Sequence, residues 1–275
     1  MSDYAIPEGG VPPQSQLLSR RAVFTSSYAV IPKRVMTDIV TTRFPNWTGQ
    51  RAWVVARPMT GFAETFAEQI VELQPGGGSD QPEPDRRAEA VIFVTSGHLE
   101  LSLSGQPFRL EPGSYAYIAP GVAWTIWNTA QENASFAWIR KRYNGVAGIE
   151  PPNSFVTREQ DVPISPMPQS NGTWGTQRFV MDDDLAHDMH VNIVTFEPGG
   201  VIAFAETHVM EHGIYIIEGK GVYRLNTDWV EVEAGDFVWL RAFCPQACYA
   251  GGPGRFRYLL YKDVNRQASL DLGDN

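Results

Sequence analysis

The 275-residue sequence reads as an all-β protein built from two copies of one β-unit, a barrel or a sandwich in each half. Three observations carry that reading. Short runs of alternating apolar residues, dominated by Val, Ile, Tyr, Phe and Trp, recur along the chain with Gly or Pro between them. Helical periodicity is weak, and residues 182–187 are the best short candidate for a helix. A fixed offset also lays one half on the other: Gly97 closes V-I-F-V-T-S-G and Gly219 closes I-Y-I-I-E-G (219 − 97 = 122).

Taken in order, residues 1–15 are polar and rich in Gly and Pro, as expected of an N-terminal arm. Residues 16–143 are expected to form the first unit, with strand-like runs at 51–57, 91–95, 99–103, 114–119, 123–127 and 136–140. Residues 144–172 contain Pro151, Pro152, Pro163, Pro166 and Pro168 and few apolar runs, so they read as a linker. Residues 173–275 repeat the first unit. The offset of 122 carries Gly113 onto Gly235, Glu89 onto Glu211, and the run 114–118 onto 236–240. The Pro-Gly-Gly turns at 75–77 and 198–200 match with one extra residue.

Composition narrows the function. The formal net charge is -9 and the pI about 5.1, with no cluster of Lys and Arg, which argues against nucleic-acid partners and an anionic membrane surface. The opening MSDYAIPEGGVPPQSQ has neither a basic region nor an apolar stretch, so no secretory signal is expected, and no apolar run is long enough to span a membrane. The two cysteines, Cys244 and Cys248, stand four apart in an expected strand on the face of Gln246, a poor geometry for a disulfide. They read as small buried hydrophobes in a cytoplasmic, reducing setting. Trp124 and Trp127 allow a homo-oligomer if they lie on an outer face, and a filled interior if they do not.

The chemistry is expected between Gly200 and Gly219, in G-V-I-A-F-A-E-T-H-V-M-E-H-G-I-Y-I-I-E-G. Glu206, His208 and His212 have the same parity, so in an unbroken extended segment they share a face. Two imidazoles and a carboxylate form half of a metal site, and Gln246 on a facing strand is the fourth donor. Shifted back by 122, these positions hold Pro84, Arg86, Ala90 and Trp124, which cannot serve as a ligand set. One metal is therefore expected, in the second unit. By affinity alone the set suits Mn²⁺, Fe²⁺, Ni²⁺ or Zn²⁺, and four protein donors leave an octahedral ion two positions for water and substrate. Tyr258 and Lys262 share a strand face, and Tyr223 follows the Gly219–Gly221 turn; Phe136 and Arg140 replace Tyr258 and Lys262 in the first unit. His98 is expected to be exposed, and His187 and His190 to be structural.

The Gly200–Gly219 stretch resembles the first signature of the cupin superfamily, with Gly235 opening the second. The ligand order is Glu, His, His rather than the usual His, His, Glu. At finer grain, E-T-H-V-M-E-H-G (206–213), G-K-G-V-Y (219–223), Gln246 and Y-L-L-Y-K-D-V-N-R (258–266) resemble the (S)-ureidoglycine aminohydrolase family, also described among bacterial glyoxylate-induced proteins. The resemblance implies a bicupin, two tandem β-barrels of the double-stranded β-helix or jelly-roll type, with Mn²⁺ in the second barrel only. It implies Glu206, His208, His212 and Gln246 as metal ligands and Tyr223, Tyr258 and Lys262 as pocket residues. It also implies catalytic work by Lys262, Tyr258, Tyr223 and Glu206: release of ammonia from ureidoglycine to give (S)-ureidoglycolate, in allantoin and purine breakdown. The competing readings are an oxygen-dependent metal cupin, a ligand-binding or regulatory bicupin, and a storage protein. An amide ligand favours Lewis-acid over oxygen chemistry, and no helix-turn-helix pattern supports regulation.

Overall fold

The computed structural model describes residues 22–35 and 42–263. The expected arm at 1–15 and residues 264–266 of the last motif lie outside the described residues. An antiparallel pair comes first, β1 (Val23–Phe24) and β2 (Tyr28–Ile31). The first repeat holds β3 (Thr48–Ala56), β4 (Ala67–Ser79), β5 (Ala88–Ser96), β6 (Leu99–Leu103), β7 (Gln106–Leu110), β8 (Ser114–Ile118), β9 (Trp124–Trp127) and β10 (Ala134–Arg142). Two connecting strands follow, β11 (Phe155–Arg158) and β12 (Ser165–Pro166). The second repeat holds β13 (Trp174–Gln177), β14 (Met189–Phe196), β15 (His212–Glu218), β16 (Lys220–Leu225), β17 (Asp228–Glu233), β18 (Phe237–Leu240), β19 (Gln246–Ala250) and β20 (Phe256–Asp263). Each repeat is a jelly-roll barrel, so the chain is all-β with two tandem barrels.

The offset of 122 survives in three dimensions. It carries β6, β7, β9 and β10 onto β16, β17, β19 and β20, each to within a residue. Gly97 and Gly219 take φ of 73° and 77° at matching turns. A Cβ on Gly219 would lie 2.0 Å from the Arg255 carbonyl oxygen, so the turn admits only glycine. No helix forms at 182–187. Asp184 instead accepts a bond from the Ala186 amide at 3.0 Å, the local turn chemistry that Asp residues favour.

Three apolar clusters hold the molecule together. One fills the first barrel around Leu73, Leu101, Ile126, Phe136 and Trp138, and one fills the second around Phe196, Ile216, Leu225, Val238 and Phe256. The third lies between the barrels, where Phe93, Tyr115, Tyr117 and Ile139 meet Met189, Val191, Ile193, Trp239 and Tyr261. Strand β14 is therefore buried along all eight residues, including the polar His190, Asn192 and Thr195. Trp124 belongs to the first interior, 6% exposed against Trp138, so it is core rather than outer face.

Hydrogen bonding crosses the expected boundaries at both ends. Strand β2, which precedes the first barrel, pairs with β18 of the second. Strand β11, in the expected linker, pairs with β8 of the first. A buried carboxylate adds to this join: Glu211 accepts from the Glu64 and Thr65 amides at 2.7 and 2.9 Å, and from the Trp239 indole at 2.6 Å. Among the described residues no helix is long and apolar enough to cross a membrane.

Candidate metal centre and active site

His212 opens β15 and lies between Leu240 on β18 and Lys262 on β20. Glu206 and His208 are not on that strand, which corrects the expectation of one unbroken face. The backbone of Glu206 is diverted into a bridge with Gln246, two N–H···O bonds of 2.9 Å each, so the chain must loop back before β15 begins. The His208 carbonyl accepts from the Phe243 amide at 2.6 Å, which anchors the loop. Convergence is reached by this route instead: Glu206, His208, His212, Gln246, Tyr258 and Lys262 line one cavity of about 140 Å³.

Within it, His208 Nε2 lies 3.4 Å from Glu206 Oε1, and the His208 and His212 rings are 5.2 Å apart. Gln246 Nε2 lies 3.4 Å from His212 Nδ1. Burial first, then the nearby His208 and Lys262, pushes the His212 imidazole down to about 3, so at neutral pH it is uncharged with a lone pair to offer. Among the described residues no three His, Cys, Asp or Glu side chains stand as a ready-made metal group. The four residues form two contacting pairs at one cavity. As donors, two imidazoles, a carboxylate and an amide whose oxygen becomes available on a half-turn suit a divalent cation.

Tyr223 does not line the cavity. It sits behind Tyr258, with ring centroids 5.9 Å apart, and pairs across the sheet with Cys248. Burial, followed by Cys248, raises both phenols well above their ordinary value, so both remain protonated. Both cysteines are buried and free. Cys248 lies on β19, whereas Cys244 falls in the turn before it, not in a strand.

The acidic turn supplies a group that the sequence did not point to. Asp182 lies 3.4 Å from Lys262 Nζ, 2.7 Å from Arg178 Nε and 3.5 Å from His190 Nδ1. Burial opposes ionisation of Asp182, but Lys262 and Arg178 outweigh it and hold the carboxyl below its usual range. His190 is buried opposite Lys262, and its imidazole is pushed down to about 4, by burial first and Lys262 second. His187 packs edge-on to Tyr117 at 4.7 Å, and His98 is exposed. Arg178, Thr176, Asn192 and Met210 also line the cavity. None of these four carries a local pattern in the sequence that would single it out.

The first barrel has a cleft at the matching place. Pro84, Arg86, Ala90 and Trp124 line a cavity of about 450 Å³ there. Arg140, at the position of Lys262, forms an ion pair with Glu83.

Comparison with known proteins agrees with the two-barrel fold. A cupin-domain family model matches twice, over residues 69–140 and 192–261, one match per barrel. The chain is 28% identical over 260 residues to (S)-ureidoglycine aminohydrolase of Escherichia coli K12, covering 94% of this chain and 96% of that protein. It is 30% identical over 247 residues to the Arabidopsis thaliana protein of the same name, covering 90% and 78%. Among solved structures, a Pseudomonas aeruginosa protein described as glyoxylate-induced superposes with a TM-score of 0.89 at 62% identity, over 99% of this chain and 100% of that one. Two barrel-length matches and full-length relatives place the chain in the cupin superfamily, and within it in the (S)-ureidoglycine aminohydrolase family.

Proposed function

We propose that this protein is a manganese-dependent aminohydrolase that converts (S)-ureidoglycine to (S)-ureidoglycolate and ammonia, within the breakdown of allantoin and the purine ring. The observation that carries the reading is the gathering of Glu206, His208, His212 and Gln246 with Tyr258 and Lys262 in one cavity of the second barrel, in a chain whose relatives carry that activity's name along their length. Those four residues would hold the cation. When bound, it supplies Lewis acidity that polarises the substrate and lowers the pKa of a water.

The chain's own groups manage orientation and protons. The reaction breaks the C–N bond to the amine and forms a C–O bond from water, so one proton must reach the departing nitrogen and one must leave the water. Lys262, across from His212 and largely buried, is placed to protonate the amine or to pair with the substrate carboxylate. Glu206, at the cavity wall, is placed to accept the proton from water. The protonated Tyr258 hydroxyl donates a hydrogen bond that helps to fix the prochiral face, and Tyr223 holds that phenol from behind. Two free buried thiols support a reducing, cytoplasmic setting.

The test is ammonia release from ureidoglycine made in situ from allantoate, with Mn²⁺ supplied and spontaneous decay subtracted. Enantioselective (S)-ureidoglycolate formation that disappears on chelation is the expected result. No rate above spontaneous decay, in protein carrying one metal per chain, would overturn the assignment; oxygen uptake would then be the next assay.

A further inference from the structure

The side chain of Asn192 has no place in the reaction just described, yet it lines the same cavity. It is 3% exposed, and its Oδ1 is buried with no hydrogen-bond partner. A buried carbonyl oxygen left unpaired is costly, and where it faces a cavity that cost points to a ligand that completes it. The strand register fixes where that ligand must be. On β14, Asn192 faces Leu260, between His190 opposite Lys262 and Val194 opposite Tyr258. The amide therefore stands between the two polar groups that β20 presents to the cavity.

We infer that Asn192 is a specificity-determining residue that reads the ureido end of the substrate. Its carboxamide offers one acceptor and two donors, the complement of a ureido group, which offers N–H donors and one carbonyl. This rests on the reading of the cavity as a ureidoglycine site. A cavity built around such a bond rejects analogues that lack the N–H, because the buried oxygen is then left unpaired. The repeat supplies a control. Gln69 occupies the matching position on β4 and also has a buried, unpaired Oε1, but it does not line the first barrel's cleft.

The experiment measures the binding of two probes, ureidoglycolate and glycolate, to Mn²⁺-loaded protein by calorimetry, for the parent, Asn192→Ala, Asn192→Leu and Gln69→Ala. Metal content and thermal midpoint are recorded for each. The inference expects ureidoglycolate to bind the parent at least about tenfold more tightly than glycolate, a preference lost in both Asn192 variants and kept in Gln69→Ala. In turnover, Asn192→Ala should raise KM at least about tenfold with a smaller change in kcat. Equal weakening of both probes, or an unchanged preference in folded, metal-loaded Asn192→Leu, overturns it. A parent protein that is metal-loaded yet binds neither probe and does not turn over ureidoglycine overturns the ureidoglycine reading itself.

Discussion

The two barrels share a scaffold and differ in chemistry. Strand for strand they match, down to left-handed glycines at Gly97 and Gly219 and buried carboxylates at Glu89 and Glu211. Each carboxylate accepts from an aromatic donor on the same neighbouring strand, Tyr117 at 2.7 Å in the first barrel and Trp239 at 2.6 Å in the second. At the cavity mouth the correspondence ends, with Pro84, Arg86, Ala90 and Trp124 in place of Glu206, His208, His212 and Gln246. The difference teaches that residues responsible for barrel closure and those responsible for chemistry are separable here. Close packing constrains the first group, and the second is free to change where side chains meet solvent or ligand.

The largest effect is expected from the pair Lys262→Met and Arg140→Met, which occupy matching positions. Lys262→Met should lower kcat by about 10²–10⁴-fold with metal content intact, the range for a lost proton-transfer group. Arg140→Met should leave turnover unchanged; equal losses in both would mean that the barrels are not chemically distinct. Next is Trp124→Ala, which should cost about 3–5 kcal/mol in urea denaturation while metal content stays at the parent level. A loss of metal there would instead link the first barrel's interior to the second barrel's site.

Glu68 gives a pH-dependent test. Its carboxyl is buried with neither oxygen bonded, and burial pushes it up to about 8. The folded chain keeps this proton to about pH 8, whereas the unfolded chain releases it near 4.5. The folded form is therefore progressively disfavoured as pH rises through that interval, at about 1.4 kcal/mol per pKa unit as an upper bound. Glu68→Gln should flatten this part of the stability profile, gaining a few kcal/mol at pH 8 relative to the parent; an unchanged slope in denaturant titrations would show that Glu68 is not its source. The smallest effect is expected from Arg255→Ala. It removes an exposed ion pair with Glu197 that the first barrel lacks, where Asn133 and Gln74 stand instead. Its unfolding midpoint should reflect no more than about 1 kcal/mol.

Much of this was legible in the sequence, for physical reasons. Period-two alternation and turn glycines marked β6, β8 and β9, and the 122-residue offset aligned the halves, because the same barrel closure makes the same demands twice. The candidate ligand residues were legible as types but not as a path. Parity placed Glu206 and His208 on a strand that in fact starts at His212, since the diverting bridge to Gln246 is a long-range pairing that no local pattern encodes. Asn192 was hidden for a similar reason: a single amide on a buried strand gains meaning only from the cavity that it faces. The partners of β2 and β11 were also silent, because edge pairing depends on which barrel stands nearby.

Those two strands have a mechanical consequence. The arm preceding the first barrel seals the edge of the second, and the arm preceding the second seals the edge of the first. This is the geometry of a segment-swapped dimer written into a single chain. Neither barrel can be cut out without taking a strand from the other and baring a sheet edge along with the apolar face between them. The first barrel is thus a permanent partner for the second, and the two should melt as one cooperative unit.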